Sequence, residues 1–262
     1  MCHPVVKIAV AAAITASASA GALAQDAREV LAPKGKLRVG AYLGSPLSMV
    51  RDSKTGEIHG LSIDLGKELA KRLDVAFEQV SYQRIAEVLA GMKAGDVDFT
   101  VSNATPARAV DVNFSQTLIS LELGYLVPAD SPITTISDAE KPGIRVGVTQ
   151  GSTSQGTIPK ILPRATVVPA QNLKGAMEMF ERRELDVFAT NKPTLFEMSD
   201  QMPGARVLDG RWGVEHIAVA TPKGREAATE YIRRFVDEAQ TSGLLSQAVQ
   251  RAGLRGVVKA AQ

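Results

Sequence analysis

The chain has 262 residues, 45% hydrophobic, 22% charged and 5% aromatic, with 22 glycines and 13 prolines, a composition that can bury a full core and excludes disorder and collagen-like repeats. Its 30 Lys and Arg face 28 Asp and Glu for a balance of +2, with no run of more than two basic residues, so nothing in it is built to neutralise nucleic-acid phosphates. The length suits two lobes of roughly 100–130 residues, because single cores stop growing near about 250–300.

The first 24 residues differ in character: Lys7 is their only charged side chain, and the Ala/Val/Ile-rich stretch from Ile8 to Ala22 carries none. This reads as a secretory signal peptide. Ala22 and Ala24 supply the small residues that signal peptidase requires, so cleavage is expected after Ala24, leaving 238 residues from Gln25. The apolar stretch is shorter than the roughly 20 residues of a membrane span. Cys2, the only cysteine, lies inside this segment, so the mature chain is expected to lack disulfides, a thiolate nucleophile, a cysteine zinc site and a lipid acceptor. Without Lys7, 29 basic residues face 28 acidic ones, and a free, nearly neutral exported protein is expected.

After a polar lead-in from Gln25 to Gly35, "KLRVGAYL" reads as a strand, "LSIDLGKELAKRL" has helical spacing at Ile63, Leu69, Ala70 and Leu73, and "VAFEQVSY" returns to strand. A helix with Ile85, Val88, Leu89 and Met92 on one face ends at Gly95 and leads into the strand "VDFTVS". The second half repeats the order, with "IRVGVT" as strand, a helix opening at "GSTSQ", "ATVVPA" as strand and another amphipathic helix. The class is α/β.

The repetition extends to spacing. Ile85, Val88, Leu89 and Met92 precede Asp98 and then Asn103; Leu173, Ala176, Met177 and Phe180 precede Asp186 and then Asn191, at identical intervals. "AGDVDFTVSN" and "RRELDVFATN" therefore read as equivalent helix–turn–strand corners. Each strand ends in an Asn at its carboxyl edge, where open α/β sheets bind ligands. Chance similarity between two common corners would explain the helices but not the matched Asn.

Leu121 to Pro128 and Val214 to Pro222 are extended, mostly apolar segments at the borders of the second half. If each is a strand crossing between lobes, residues 25–126 plus 217–262 form a discontinuous first lobe and 127–216 the second. The helix carrying Ala228, Ile232, Phe235 and Ala239 would return to the first lobe. Paired crossing strands make a hinge, because a few torsions there move two rigid cores.

Phosphate-loop, dinucleotide and GxSxG signatures are missing. His59 and His216 are far apart, so no histidine metal site is expected. His59 reads as a solvated hairpin residue, whereas His216 on a crossing strand has a route to the cleft. Thr105-Pro106-Ala107-Arg108 follows directly on the strand ending at Asn103. Thr105 is placed to cap a helix opened by Pro106, and Arg108 projects from its first turn, where a guanidinium fork binds a carboxylate bidentately. Alternatively Arg108 pairs with Asp111 or lies on the surface. Gly151-Ser152-Thr153 opens a helix in the second half, with hydroxyls and unpaired amides facing the same gap.

Taken in order, "GEIHGLSIDLGKELAKRL", "MKAGDVDF", "TPARAVDVNFS", "VGVTQGSTSQ" and "RRELDVFATN", between about Gly35 and Gly253, resemble the family 3 periplasmic solute-binding proteins, receptors of polar amino acid ABC transporters. The resemblance implies a type II-like periplasmic binding protein fold of two α/β lobes joined by two crossing strands and closing over a small ligand. It further implies a monomer in the periplasm, without a cofactor, that hands an amino acid or small carboxylate to a membrane permease. By motif, Arg108 would clamp an α-carboxylate beside Ser102, Asn103 and Thr105. Ser152 and Thr153 would close on it from the second lobe, and Tyr42 and Leu47 would meet the ligand side chain.

Two departures matter. Leu47 in "GSPLS" stands where the family has Phe, and Asn191 stands where it has the acid that holds an α-ammonium. Removing one partner of a buried charge pair costs about 3–5 kcal/mol. Either Glu122 or Glu215 supplies the missing charge, or the ligand is a carboxylate without an ammonium. An enzyme resembling cyclohexadienyl dehydratases is the alternative. It needs a protonated carboxyl over the leaving hydroxyl, which Asn191 cannot provide.

Overall fold

A computed structural model describes residues 25–52 and 54–258. The signal segment and its cleavage site lie outside the described residues. The lead-in expected to be merely polar contains a helix, α1, over residues 25–31, which buries Ala27 and Leu31 and turns Gln25, Asp26 and Glu29 to water. Two apolar positions four apart make one helical face. The element is too short to show a period.

Next come β1 (Lys36–Tyr42), a small hairpin of β2 (Val50–Arg51) and β3 (Ile58–His59), α2 (Leu61–Arg72), β4 (Ala76–Tyr82), α3 (Ile85–Lys93), β5 (Thr100–Asn103) and the single turn α4 (Pro106–Ala109). A 16-residue strand, β6 (Val112–Val127), leads to α5 (Ile136–Ala139), β7 (Arg145–Thr149), α6 (Thr153–Ile161), β8 (Thr166–Ala170), α7 (Leu173–Glu181), β9 (Val187–Asn191), α8 (Lys192–Gln201) and β10 (Arg206–Val207). Then β11 (Gly213–Pro222) leads through a 3-10 turn to α9 (Thr229–Thr241) and α10 (Leu244–Arg251). The strand expected from Leu121 begins at Val112, because Val112 to Ser120 is half-buried with mixed polarity and carries no continuous apolar run.

β1 lies parallel to β4, and the parallel bridge Val39–Phe99 sets β5 beside it. β11 runs antiparallel to β5 and β6, and β6 continues antiparallel to β9 and β10, while β7 is parallel to β8 and β9. The internal repeat is therefore one of register as well as spacing. Val39 faces Phe99 as Val146 faces Val187, and Arg38 faces Glu78 as Arg145 faces Thr166. Glycine recurs at matching points. A Cβ on Gly40 would lie 2.7 Å from Val88, and one on Gly147 would lie 2.5 Å from Leu185, so each strand admits the side chains packed over it only by having none itself.

One core joins β1, α2, Leu118 and Leu121 of β6, Ile217 and Val219 of β11, and the apolar stripe Ile232, Phe235, Val236 and Ala239 of α9. At about 1.5–3 kcal/mol for each large side chain buried, that stripe ties the C-terminal segment to the first half. A second core gathers Val146, Val148 and Val187 with Tyr125 and Val127 of β6. A third packs α7 and α8 around Phe188.

Candidate functional site

The carboxyl ends of β1, β5, β7 and β9 converge, bringing Tyr42, Asn103, Thr149 and Asn191 to one cavity of about 50 Å³. Leu47, Ser102, Arg108, Ser152, Thr153 and Glu215 also line it. Every residue expected from the sequence to contact ligand is thus at this cavity except Thr105. Its hydroxyl accepts from the Arg108 backbone N–H at 3.3 Å, capping α4, so Thr105 places Arg108 without lining the cavity itself.

The Arg108 guanidinium donates through Nη1 to Ser102 Oγ at 2.8 Å and to the Asn103 carbonyl at 3.3 Å. Asp111, the alternative partner, pairs instead with Lys93 at 2.7 Å. Among the described residues no carboxylate lies within ion-pairing distance of Arg108. Burial lowers its pKa, opposed chiefly by the charge of Glu215. A guanidinium so shifted still carries its charge at neutral pH.

On the opposite wall, Ser152 caps α6 by accepting from the Gln155 N–H at 3.2 Å, and Thr153 Oγ1 receives a 3.4 Å bond from Asn103 Nδ2. The amides expected to be open here are partly taken. Gly151 N–H donates to Gln155 Oε1 at 2.6 Å, and Ser152 N–H donates to the Thr149 carbonyl at 3.0 Å. The cause is local, since Gln155 reaches back over its own helix start. Asn191 is likewise occupied. Its Oδ1 accepts from the Thr194 N–H at 3.1 Å, capping α8, and Thr194 Oγ1 shares a 2.9 Å bond with Ser45 of the first half.

The structure separates the two acids the sequence offered. Glu122 is paired with Lys192 at 2.6 Å and Arg211 at 3.3 Å, away from the cavity. Glu215 lines the cavity at 5% exposure, with Oε1 buried and without a hydrogen-bond partner. Desolvation pushes its carboxyl up to about 7, against the Arg108 charge and a hydrogen bond from Asn191 that pull it down. His216, the next residue, faces the opposite side of β11, is exposed and bonds Ser120 at 2.9 Å, so its route to the cleft is closed. Local alternation carries this signal: Glu215 and Ile217 are buried on either side of exposed His216, before the strand becomes buried on both faces. His59 pairs opposite Val50 in the hairpin, half-buried rather than solvated, and is not at the cavity. Thr149 and Thr194 were not singled out by the sequence. Thr149 stands at the same distance beyond Arg145 as Tyr42 beyond Arg38.

Tyr42, Arg108 and Glu215 are the titratable side chains of the cavity. Burial pushes the Tyr42 hydroxyl up, so it is neutral at pH 7. Among the described residues no group of three His, Cys, Asp or Glu is placed to hold a metal ion. Strand ends converging on a small polar cavity, with one guanidinium outside any ion pair among the described residues, define a receptor for a small ligand rather than a surface for a macromolecule.

The chain belongs to the bacterial extracellular solute-binding proteins, family 3, whose model matches residues 37–253. It is similar to the glutamine-binding protein of Geobacillus stearothermophilus, 27% identical over 199 residues that cover 74% of this chain and 76% of that one. It is also similar to the ABC transporter glutamine-binding protein GlnH of Bacillus subtilis (strain 168), 23% identical over 223 residues, 84% of this chain and 81% of the other. Among solved structures, an amino acid ABC transporter substrate-binding protein from Streptococcus pneumoniae bound to L-arginine shares the fold at a TM-score of 0.76, with 19% identity over 89% of this chain and 99% of that one.

Proposed function

We propose that this protein captures a small amino acid or carboxylate outside the cytoplasm and delivers it to the permease of an ABC importer. The observation that carries the reading is Arg108, a half-buried guanidinium that has no carboxylate partner among the described residues, braced by Ser102 at 2.8 Å and lining the cavity. A desolvated cation left unpaired is unfavourable until an anion reaches it. The binding of amino acids and the coupling to an ABC transporter are carried over from the similar proteins above.

In this reading, residues 25–126 plus 217–262 form one lobe and 127–216 the other, joined by β6 and β11 acting as the hinge. β6 sends side chains into both the first and the second core, and β11 runs alongside it from Gly213 to Pro222, which supports that division. The Asn103–Thr153 and Ser45–Thr194 bonds would form on closure. Tyr42 and Leu47 would meet the ligand side chain. The mature protein would be a periplasmic monomer, cut after Ala24 and working without a cofactor.

The test is a thermal-shift screen of the exported protein with the standard L-amino acids and small organic acids, followed by calorimetry on the hits. A ligand at 100 times its Kd adds about 2.7 kcal/mol of stability. Binding that disappears in Arg108→Ala is the expected result; unchanged affinity in that variant would remove Arg108 from the site. Incubation with prephenate checks the dehydratase alternative, since Glu215 is the one carboxyl at the cavity among the described residues. Formation of an aromatic product would overturn capture.

A further inference from the structure

We infer that Glu215 is the acceptor for the ligand's ammonium group, and that the ammonium enters by displacing a proton from this carboxyl. The inference rests on the reading of Arg108 as the carboxylate clamp and adds to it the second charged contact. Position 191 then contributes a neutral capping amide and no counter-charge.

Four observations converge. Arg108 arises from α4 and Glu215 from β11, and both line one cavity, yet neither forms an ion pair with the other or with another group among the described residues. Glu215 Oε1 is buried without a hydrogen-bond partner, whereas Asn191 Oδ1 already receives the Thr194 N–H. Among the described residues Tyr42 from β1 is the only other titratable side chain lining the cavity with Glu215 and Arg108, and it is neutral. The remaining polar lining consists of hydroxyls and the Asn103 and Asn191 amides, which cannot balance a buried cation.

A guanidinium and a buried carboxyl on one cavity, neither in an ion pair among the described residues, make a site for a zwitterion. An α-amino acid spanning them neutralises both at once. An anion without an ammonium leaves Glu215 uncompensated, and Glu215 must then keep a proton. The carboxyl, held up to about 7 by burial, is about half protonated in the empty protein at neutral pH. An incoming ammonium stabilises the carboxylate and drives that proton to solvent. The covalent balance is simple: the Glu215 O–H bond breaks, the proton goes to buffer, and the ligand keeps its own three N–H bonds. Affinity should therefore rise about tenfold from pH 6 to pH 8.

The experiment compares L-glutamine with glutaramate and L-arginine with 5-guanidinopentanoate, pairs that differ only in the α-ammonium, by calorimetry on the exported protein and on Glu215→Gln and Arg108→Ala. Where the screen selects a different standard amino acid, that amino acid and its des-amino counterpart replace them. The expected result has the amino acid binding the native protein at least about 100-fold more tightly than its des-amino partner. Proton release, read from buffers of different ionisation enthalpy, accompanies binding at pH 7. Glu215→Gln loses the preference, the release and the pH dependence. Equal affinity for the two members of a pair in the native protein overturns the inference without recourse to any variant. Amino acid binding lost in Arg108→Ala but kept in Glu215→Gln overturns it while leaving capture standing. Failure of every standard amino acid to bind the native protein, with a des-amino acid binding through Arg108, overturns it likewise; no binding of any carboxylate overturns both readings.

Discussion

Arg38 closes on Asp98 through three bonds: its backbone N–H and Nε reach Oδ2 at 2.9 and 2.8 Å, and Nη2 reaches Oδ1 at 2.7 Å. Arg145 grips Asp186 with the same atoms at 2.7, 3.1 and 2.7 Å. In both, Nη1 donates at 2.6 Å to a carbonyl three residues before the aspartate, that of Gly95 or Arg183, each at positive φ. The clamp fixes the strand that ends in Asn103 in one half and in Asn191 in the other. Arg225 adds a second guanidinium to Asp98 at 2.6 Å.

Asp98→Ala would leave Arg38 buried, and Arg225 partly so, without their anion, at a cost of about 3–5 kcal/mol. The side chains of Arg145 and Asp186 are 41% and 30% exposed, so solvent screening reduces Asp186→Ala to about 1 kcal/mol. The Asp186 carboxyl is held below its usual range, first by the hydrogen bond from Arg145. Its stabilisation is present above the unfolded value and lost as pH falls through the folded one. Urea unfolding of the two variants at pH 7 checks the difference; equal losses would mean that burial does not distinguish the two corners.

The corners were legible because they are local. The helix stripe, the turn, the aspartate and the terminal Asn lie within one short stretch, and the periodicity survives in the residues. What Asp98 and Asp186 are for was not legible, since Arg38 and Arg145 come from distant strands. The same holds for Ser45 and Thr194, which only the fold brings together. Arg108 was readable from Thr105-Pro106. Glu215 and Glu122 were not separable until strand register showed which of them faced inward.

Glu215→Gln should stabilise the ligand-free protein at alkaline pH and do little at acid pH. The folded carboxyl titrates at about 7 against an ordinary 4.5, so the native state holds a proton that the unfolded chain has released. Stability must fall as pH rises through that interval, by about 3 kcal/mol in all. The amide never ionises. Urea unfolding at pH 5, 6.5 and 8 should show the two proteins matching at pH 5 and diverging upward. Parallel curves would show that Glu215 is solvated in the empty protein.

Arg108→Ala should barely alter the melt of the ligand-free protein. It loses the bonds to Ser102 and Asn103 but also removes a desolvated, unpaired charge, and the two effects offset to within about 1 kcal/mol. The loss also removes the cation that holds the Glu215 carboxyl down. The pH at which Glu215 ionises should then move upward, visible in the pH dependence of the melt. A large destabilisation would instead give Arg108 a structural role.

Gly151 bears on the proposed closure. It follows β7 at φ +73, and a Cβ built there would lie 2.5 Å from the Ala86 Cβ of α3, which belongs to the other half. Gly151→Ala therefore carries two penalties, a backbone cost of about 1 kcal/mol for a left-handed alanine and a collision across the gap. The backbone cost falls on open and closed forms alike. Under the proposed hinge closure the collision falls only on the closed form, so it shifts the equilibrium toward opening, and each 1.4 kcal/mol of that bias weakens apparent affinity about tenfold. Ala86→Gly in the Gly151→Ala background removes the colliding methyl and leaves the backbone strain. Affinity should drop in the single variant and recover in the double one, while unfolding free energy stays low in both. Small-angle scattering of the ligand-free single variant should report a larger radius of gyration. An affinity lost equally in single and double variants would assign the whole effect to the φ angle and leave the gap contact without a part in closure.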